Sequence, residues 1–137
     1  MKKTIILLVA VVTCFMMSAC SKTISGEVVA EITSTGLDCL SGDCFLATGK
    51  ITIDGIITEF SLQTPNGLFR QEFLDAHEIK IEMSSQTPPP NQLDYLGVTI
   101  LNEDDNNLAT DVFIAPEGWG TTITPYNITV STQYTAR

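Results

Sequence analysis

Basic residues, histidine and tryptophan are scarce in this chain. Seven Lys and Arg stand against sixteen Asp and Glu, a formal charge of -9, and that sign repels phosphate backbones, which excludes nucleic acid as a partner. One His, His77, and four Cys leave few ligands for a zinc site. Within 137 residues one modest core fits, whereas a cofactor domain beside a catalytic domain does not. There is no Gly-x-Ser-x-Gly elbow, no coiled-coil heptad and no internal repeat. The apolar stretch Thr4 to Ala19 has 16 residues, short of the roughly 20 that span a bilayer core as a helix.

That stretch follows a basic start, Met1-Lys2-Lys3, and gives way at once to Ser21-Lys22-Thr23. It has the layout of a signal peptide. Its end, Met17-Ser18-Ala19-Cys20, resembles the lipobox of bacterial lipoproteins, with small residues at the two positions before a Cys. Met17 stands where Leu is usual. Val11-Val12-Thr13-Cys14 is a rival site with Thr in a small-residue position and a very short apolar segment before it. The resemblance implies that residues 1–19 are removed and that Cys20 becomes a lipidated first residue carrying several acyl chains, palmitate-type chains among them. It places the protein in a bacterial cell envelope, and Ser21 points to the outer membrane if the host is Gram-negative. An ordinary secretory signal and a retained anchor helix are the alternatives. One acyl chain holds a protein marginally, two or more hold it stably.

Without residues 1–19 the chain loses Lys2 and Lys3, and the formal charge moves from -9 to -11. Sixteen Thr remain, and Thr, Ile and Val dominate the segments between turn residues, a composition suited to half-buried strands. The expected organisation is a short tether over residues 20–26 and one β-domain over 27–137. Phe45, Ala47, Gly49, Ile51 and Ile53 alternate with Thr48, Lys50, Thr52 and Asp54. Asp54-Gly55 then predicts a type I′ hairpin, pairing Ile53 with Ile56, Ile51 with Thr58 and Gly49 with Phe60. Further strands are expected at Val28, Ala30 and Ile32; at Ile79, Ile81 and Met83; at Leu96, Val98 and Ile100; at Leu108, Val112 and Ile114; and at Tyr126, Ile128, Val130 and Tyr134.

For Leu96, Val98 and Ile100 to share a face with Val112 and Ile114, the intervening loop needs an odd length. A loop of Asp104, Asp105 and Asn106 with Asn106 left-handed satisfies this. Asn66 to Ala76 shows no alternation, and Phe69, Phe73 and Ala76 at helical spacing suggest a short helix or irregular crossing. Seven short strands, each with one polar face, predict antiparallel sheets packed as a β-sandwich, immunoglobulin-like in strand count, with a small closed barrel as the alternative. Thr87-Pro88-Pro89-Pro90-Asn91 is a stiff connector.

Few residues offer chemistry. Cys39 and Cys44, an even pair in an exported protein, read as a disulfide, whose small loop contributes about 2 kcal/mol on the chain-entropy model. Cys14 leaves with the signal and Cys20 takes lipid, so no odd thiol remains. Glu103, Asp104 and Asp105 could offer oxygens to calcium, but a tight turn cannot fold all three carboxylates around one ion, and a solvated hairpin tip is the simpler reading. Asp38 and Asp43 could add a second weak cation patch, and solvated loop carboxylates are again the simpler reading. His77, in Asp75-Ala76-His77-Glu78, has carboxylate neighbours but no nucleophile. Trp119, between Gly118 and Gly120, is a loop aromatic that can serve as a platform for a glycan or protein partner, or fold back as a lid on the core. The sequence therefore points to a membrane-anchored, non-catalytic binding or assembly module with no cofactor beyond the lipid on Cys20. An envelope hydrolase using scattered carboxylates or His77 is the alternative.

Overall fold

The computed structural model describes residues 22–33, 46–63, 66–87, 94–114 and 126–137. Eight strands form two antiparallel four-stranded sheets: β1 (Ile24–Thr33), β2 (Leu46–Ile53), β3 (Ile56–Gln63), β4 (Asn66–Ala76), β5 (Glu78–Thr87), β6 (Tyr95–Asn102), β7 (Asn107–Ile114) and β8 (Tyr126–Thr135). Sheet A has the order β4-β1-β6-β7 and sheet B the order β3-β2-β5-β8. The sheets do not close into a barrel, so the barrel alternative falls, and the strands number eight rather than seven.

Between the sheets lies one core. Val28, Ala30, Ile32, Leu96, Val98 and Ile100 of sheet A meet Ala47, Ile51, Ile79, Ile81 and Met83 of sheet B, all buried. Alternation accounts for these inward sets, since residues two apart share a face. The one buried polar side chain among the described residues, Ser85, donates to the Leu46 carbonyl at 3.2 Å. That bond offsets the cost of taking its hydroxyl out of water.

The β2–β3 hairpin has the expected register, with Ile53 opposite Ile56, Ile51 opposite Thr58 and Gly49 opposite Phe60. Asp54 and Gly55 adopt φ of 47° and 84°, the pair of positive values a type I′ turn requires. Gly49 leaves the space that the Phe60 ring fills, because a Cβ there would collide with that ring and with the Glu82 carbonyl. Phe60 in turn stacks on Phe69 of β4, ring centroids 4.7 Å apart and 9° from parallel.

Two expectations are corrected. Asn66–Ala76 is a strand paired along β1, not a helix. Phe69 and Phe73 face inward, separated by the polar Gln71, which hid the alternation. The register then shifts between Ile24 and Gly26, Asp75 turns left-handed with φ 49°, and its N–H donates to Ser25 Oγ at 3.0 Å. This bulge inserts an extra residue before the buried Ala76, so a period-two strand followed by a bulge mimics the four-then-three spacing of a helix.

The second correction concerns β7. The loop does have three residues, but one position earlier than expected: Asn102 N–H donates to the Asn106 carbonyl at 3.0 Å, and Asp105, not Asn106, is left-handed with φ 60°. A register shift between Ile100 and Leu101 then flips the strand, putting Phe113 opposite Leu96 and Ala109 opposite Ile100. Leu108, Ala109 and Phe113 pack against the core, whereas Val112 and Ile114 are exposed at 44% and 69%. One extra residue exchanges the two faces of everything beyond it.

Both sheets share the same two ends. Ile24 pairs with Ala76, Gly26 with Asn102 and Ile53 with Ile56 and Ile79, which gathers the start of β1, the β2–β3 turn, the β4–β5 corner, the β6–β7 turn and the C-terminus at an N-terminal pole. Connectors 34–45, 64–65, 88–93 and 115–125 all depart from strand ends at the opposite pole. The topology also has an internal two-fold relation. Exchanging β1–β4 for β5–β8 maps sheet A onto sheet B, pair by pair.

Candidate functional site

The N-terminal pole brings together the most chemically varied described residues. β4 and β5 belong to different sheets and are joined by His77 alone, so the corner must turn the chain within one residue. Asp54 makes this possible. Its carboxylate accepts from the His77 N–H at 3.0 Å and the Glu78 N–H at 2.8 Å, while its own N–H donates to the Glu78 carbonyl at 2.9 Å. A left-handed turn residue of one hairpin thereby satisfies the backbone of the neighbouring corner. The His77 carbonyl accepts from Ala136 N–H at 2.8 Å, and its Nδ1 lies 3.0 Å from the Lys22 carbonyl, an acceptor that requires Nδ1 to carry the proton.

His77 is therefore placed among backbone groups, and its neighbours Asp54 and Glu78 engage through main-chain contacts. No nucleophile is brought to its ring among the contacts described. The candidate calcium residues occupy the β6–β7 turn, which is organised by Asn102: its Oδ1 accepts from Asp104 N–H and Asn106 N–H, both at 2.9 Å. Glu103, Asp104 and Asp105 are exposed around that turn. Among the described residues, no group of three or more His, Cys, Asp or Glu is placed to hold a metal ion. Cys20, Asp38, Cys39, Asp43, Cys44 and Trp119 lie outside the described residues, as do residues 1–19, expected to be a signal segment, and the Pro88–Pro90 run.

Two surface depressions are formed by the described residues named below. One, of about 560 Å³, lies on the outer face of sheet B between a hydroxyl row, Thr48, Ser61 and Ser84, and a charged row, Lys50, Glu59 and Glu82. Ser84 and Thr129 hydroxyls meet at 2.9 Å, and Lys50 pairs loosely with Glu82 at 3.9 Å. The other, of about 370 Å³, borders the N-terminal pole at Glu27, Glu72, Leu74 and Glu103. Arg70, two residues before Glu72 on β4, pairs with Glu27 of its lining at 2.7 Å. On the outer face of sheet A the Tyr95 ring lies over Gly97. Burial, with Glu31 nearby, pushes the Tyr95 phenol above its ordinary pKa.

No family model, curated protein or solved structure matches this chain. Its site is read from its own chemistry.

Reasoning from sequence missed the second role of Asp54 and the apolar display of the N-terminal pole. Ile56, Ile57 and Leu74 are exposed at 74%, 61% and 82%. A signal for the pair was present, because adjacent residues of a strand point to opposite faces and Ile56-Ile57 cannot both enter one core.

Proposed function

We propose that this protein is a cell-envelope lipoprotein, processed after Ala19 and lipidated on Cys20, whose β-domain is a non-catalytic binding or assembly module. One observation carries the reading. The chain enters the fold at one pole, where His77 meets the Lys22 carbonyl, while the four connectors between described strands leave from the other. Anchored at Cys20, such a domain turns the strand ends that open into the connectors bearing Cys39, Cys44 and Trp119 away from the membrane. These connectors, with Cys39 and Cys44 as a disulfide staple and Trp119 as the contact aromatic, suit an envelope protein or glycan partner. In a Gram-negative host the location is the outer membrane.

The fold reading is an immunoglobulin-like sandwich at the level of architecture, two antiparallel sheets over one core. Its strand order agrees with that fold only in part: the central pair β2–β5 matches the second-with-fifth pairing of immunoglobulin sheets, whereas the other central pair is β1–β6 rather than the third strand with the sixth. The hydrolase reading through His77 or dispersed carboxylates gains no observation in its favour.

The anchor is tested by Cys20→Ser in the full chain. The unaltered protein is expected in the membrane fraction and the variant in the soluble one; a variant that stays with the membrane overturns the anchor. The binding role is tested by melting the full chain with envelope glycans, cations and envelope proteins. A ligand-dependent rise that Trp119→Ala removes supports the module, and an unmoved melting curve across all three classes overturns it.

A further inference from the structure

The N-terminal pole carries apolar side chains that the core does not cover. Ile56 opens β3 immediately after the turn, Ile57 follows on the opposite face, and Leu74 lies near the end of β4, the neighbouring edge strand of the other sheet. All three are more than three-fifths exposed. Among the described residues the remaining exposed aliphatics, Leu46, Leu68, Val112 and Ile114, are scattered over both sheets towards the connector pole.

We propose that this pole is a membrane-contact surface, with Ile56, Ile57 and Leu74 seated in the headgroup region of the bilayer that holds the acylated Cys20. The inference rests on the lipid-anchor reading and extends it from a tether to a docking face. What commits the surface to lipid is the path of the chain. The strand starts at Ile24 rather than near Glu27, and Lys22 is already bonded to the corner through His77. Only Ser21 separates Lys22 from Cys20, a reach of about 7 Å from Cα to Cα. The seven-residue tether expected from sequence is thus largely taken up by the fold, and the pole cannot stand far from the acyl attachment point.

Charge selects the lipid. Glu103 and Asp105 of the β6–β7 turn line the same depression as Leu74, together with Glu27 and Glu72. Glu72 and Asp75 flank Leu74, and the Asp54 carboxylate beside Ile56 is occupied by the His77 and Glu78 N–H groups. Acidic groups so placed are repelled by anionic headgroups. The pole therefore meets a zwitterionic surface.

The test uses the full lipidated chain with Trp119→Phe, reconstituted in phosphatidylcholine vesicles with or without brominated acyl chains. I57W and L74W introduce one indole each at the pole, and I114W introduces one at the opposite end. The expected result is a blue-shifted emission from I57W and L74W that is lost to bromine, with I114W unaffected. If the chain floats with the vesicles but I57W and L74W keep their emission, or I114W loses it equally, the contact face is refuted and the anchor stands. A chain that fails to float refutes the anchor and this inference with it.

Discussion

The two halves of the molecule follow one topology and are closed by different chemistry. On the side where β3 lies beside β4, the stacked rings of Phe60 and Phe69 span the sheets. At the equivalent positions of the second half stand Asp111 and Val130, and the Asp111 carboxylate accepts from Ser131 N–H at 2.9 Å, bridging β7 to β8. An apolar seam gains from burial and leaves its edge amides to themselves. A carboxylate seam gives a free edge amide of β8 a partner and places a charge where another chain's strand would have to pair, one of the ways sheets guard their edges. The hairpins differ in the same spirit: the Asp54 side chain grips a neighbouring corner, whereas Asn102 ties only its own turn.

This contrast breaks most visibly at Phe60. Phe60→Ala removes a ring that is 8% exposed together with its stacking partner, and urea unfolding should show a loss of about 3 kcal/mol. A loss below that of Asp111→Ala would reverse the ranking of the seams. Asp54→Ala comes next, at about 2 kcal/mol, since it unpairs two backbone donors and puts Ala at a positive φ. Asp54→Asn, which tolerates that φ and keeps one acceptor, should recover part of the loss. Hydrogen exchange should quicken at His77 and Glu78, which no change confined to the β2–β3 turn would produce. For Asp111→Ala the expected cost is about 1 kcal/mol, together with concentration-dependent association visible in sedimentation, because the β8 edge loses its guard. An equally associating Phe60→Ala would show that the seams guard alike.

The smallest effect lies away from both seams. Tyr95 has its pKa raised above 10.0 in the folded state, chiefly by burial and secondly by Glu31. A raised folded value means that its contribution is intact below about pH 10 and is lost as pH climbs through the folded value. Tyr95→Phe should flatten the alkaline end of the stability profile while leaving neutral pH and both seams unchanged. A profile that falls as steeply in the variant would assign the alkaline loss elsewhere.

How much was legible in sequence follows from the same residues. The β2–β3 hairpin could be read to the residue, because Asp54-Gly55 is a local signal and the apolar parity of both strands agrees with it. Strands β1, β5, β6 and β8 were visible from Val28, Ile79, Leu96 and Ile128 onward by alternation alone. β4 was not, and β7 was visible as a strand but with its two faces exchanged; in each a bulge is the cause: parity carries information only along an unbroken ladder, and a single inserted residue near Asp75 or Leu108 inverts it. The two-fold relation was hidden too. Gly49 and Val98, or Phe60 and Asp111, are equivalent in place but not in chemistry, so no repeat shows in the letters. At the candidate site, His77 was visible as a residue, but its partners come from Lys22, Asp54 and Ala136, distant in sequence and joined only by the topology.

The position of β1 has a kinetic consequence. This first strand is central in sheet A, flanked by β4 and β6, so its second neighbour is not synthesised until the chain has reached Asn102. No sheet of the first half can be completed early, and pairings this distant in sequence make for slow folding. A chain built in this order completes neither sheet before its last two strands, β7 and β8, are made.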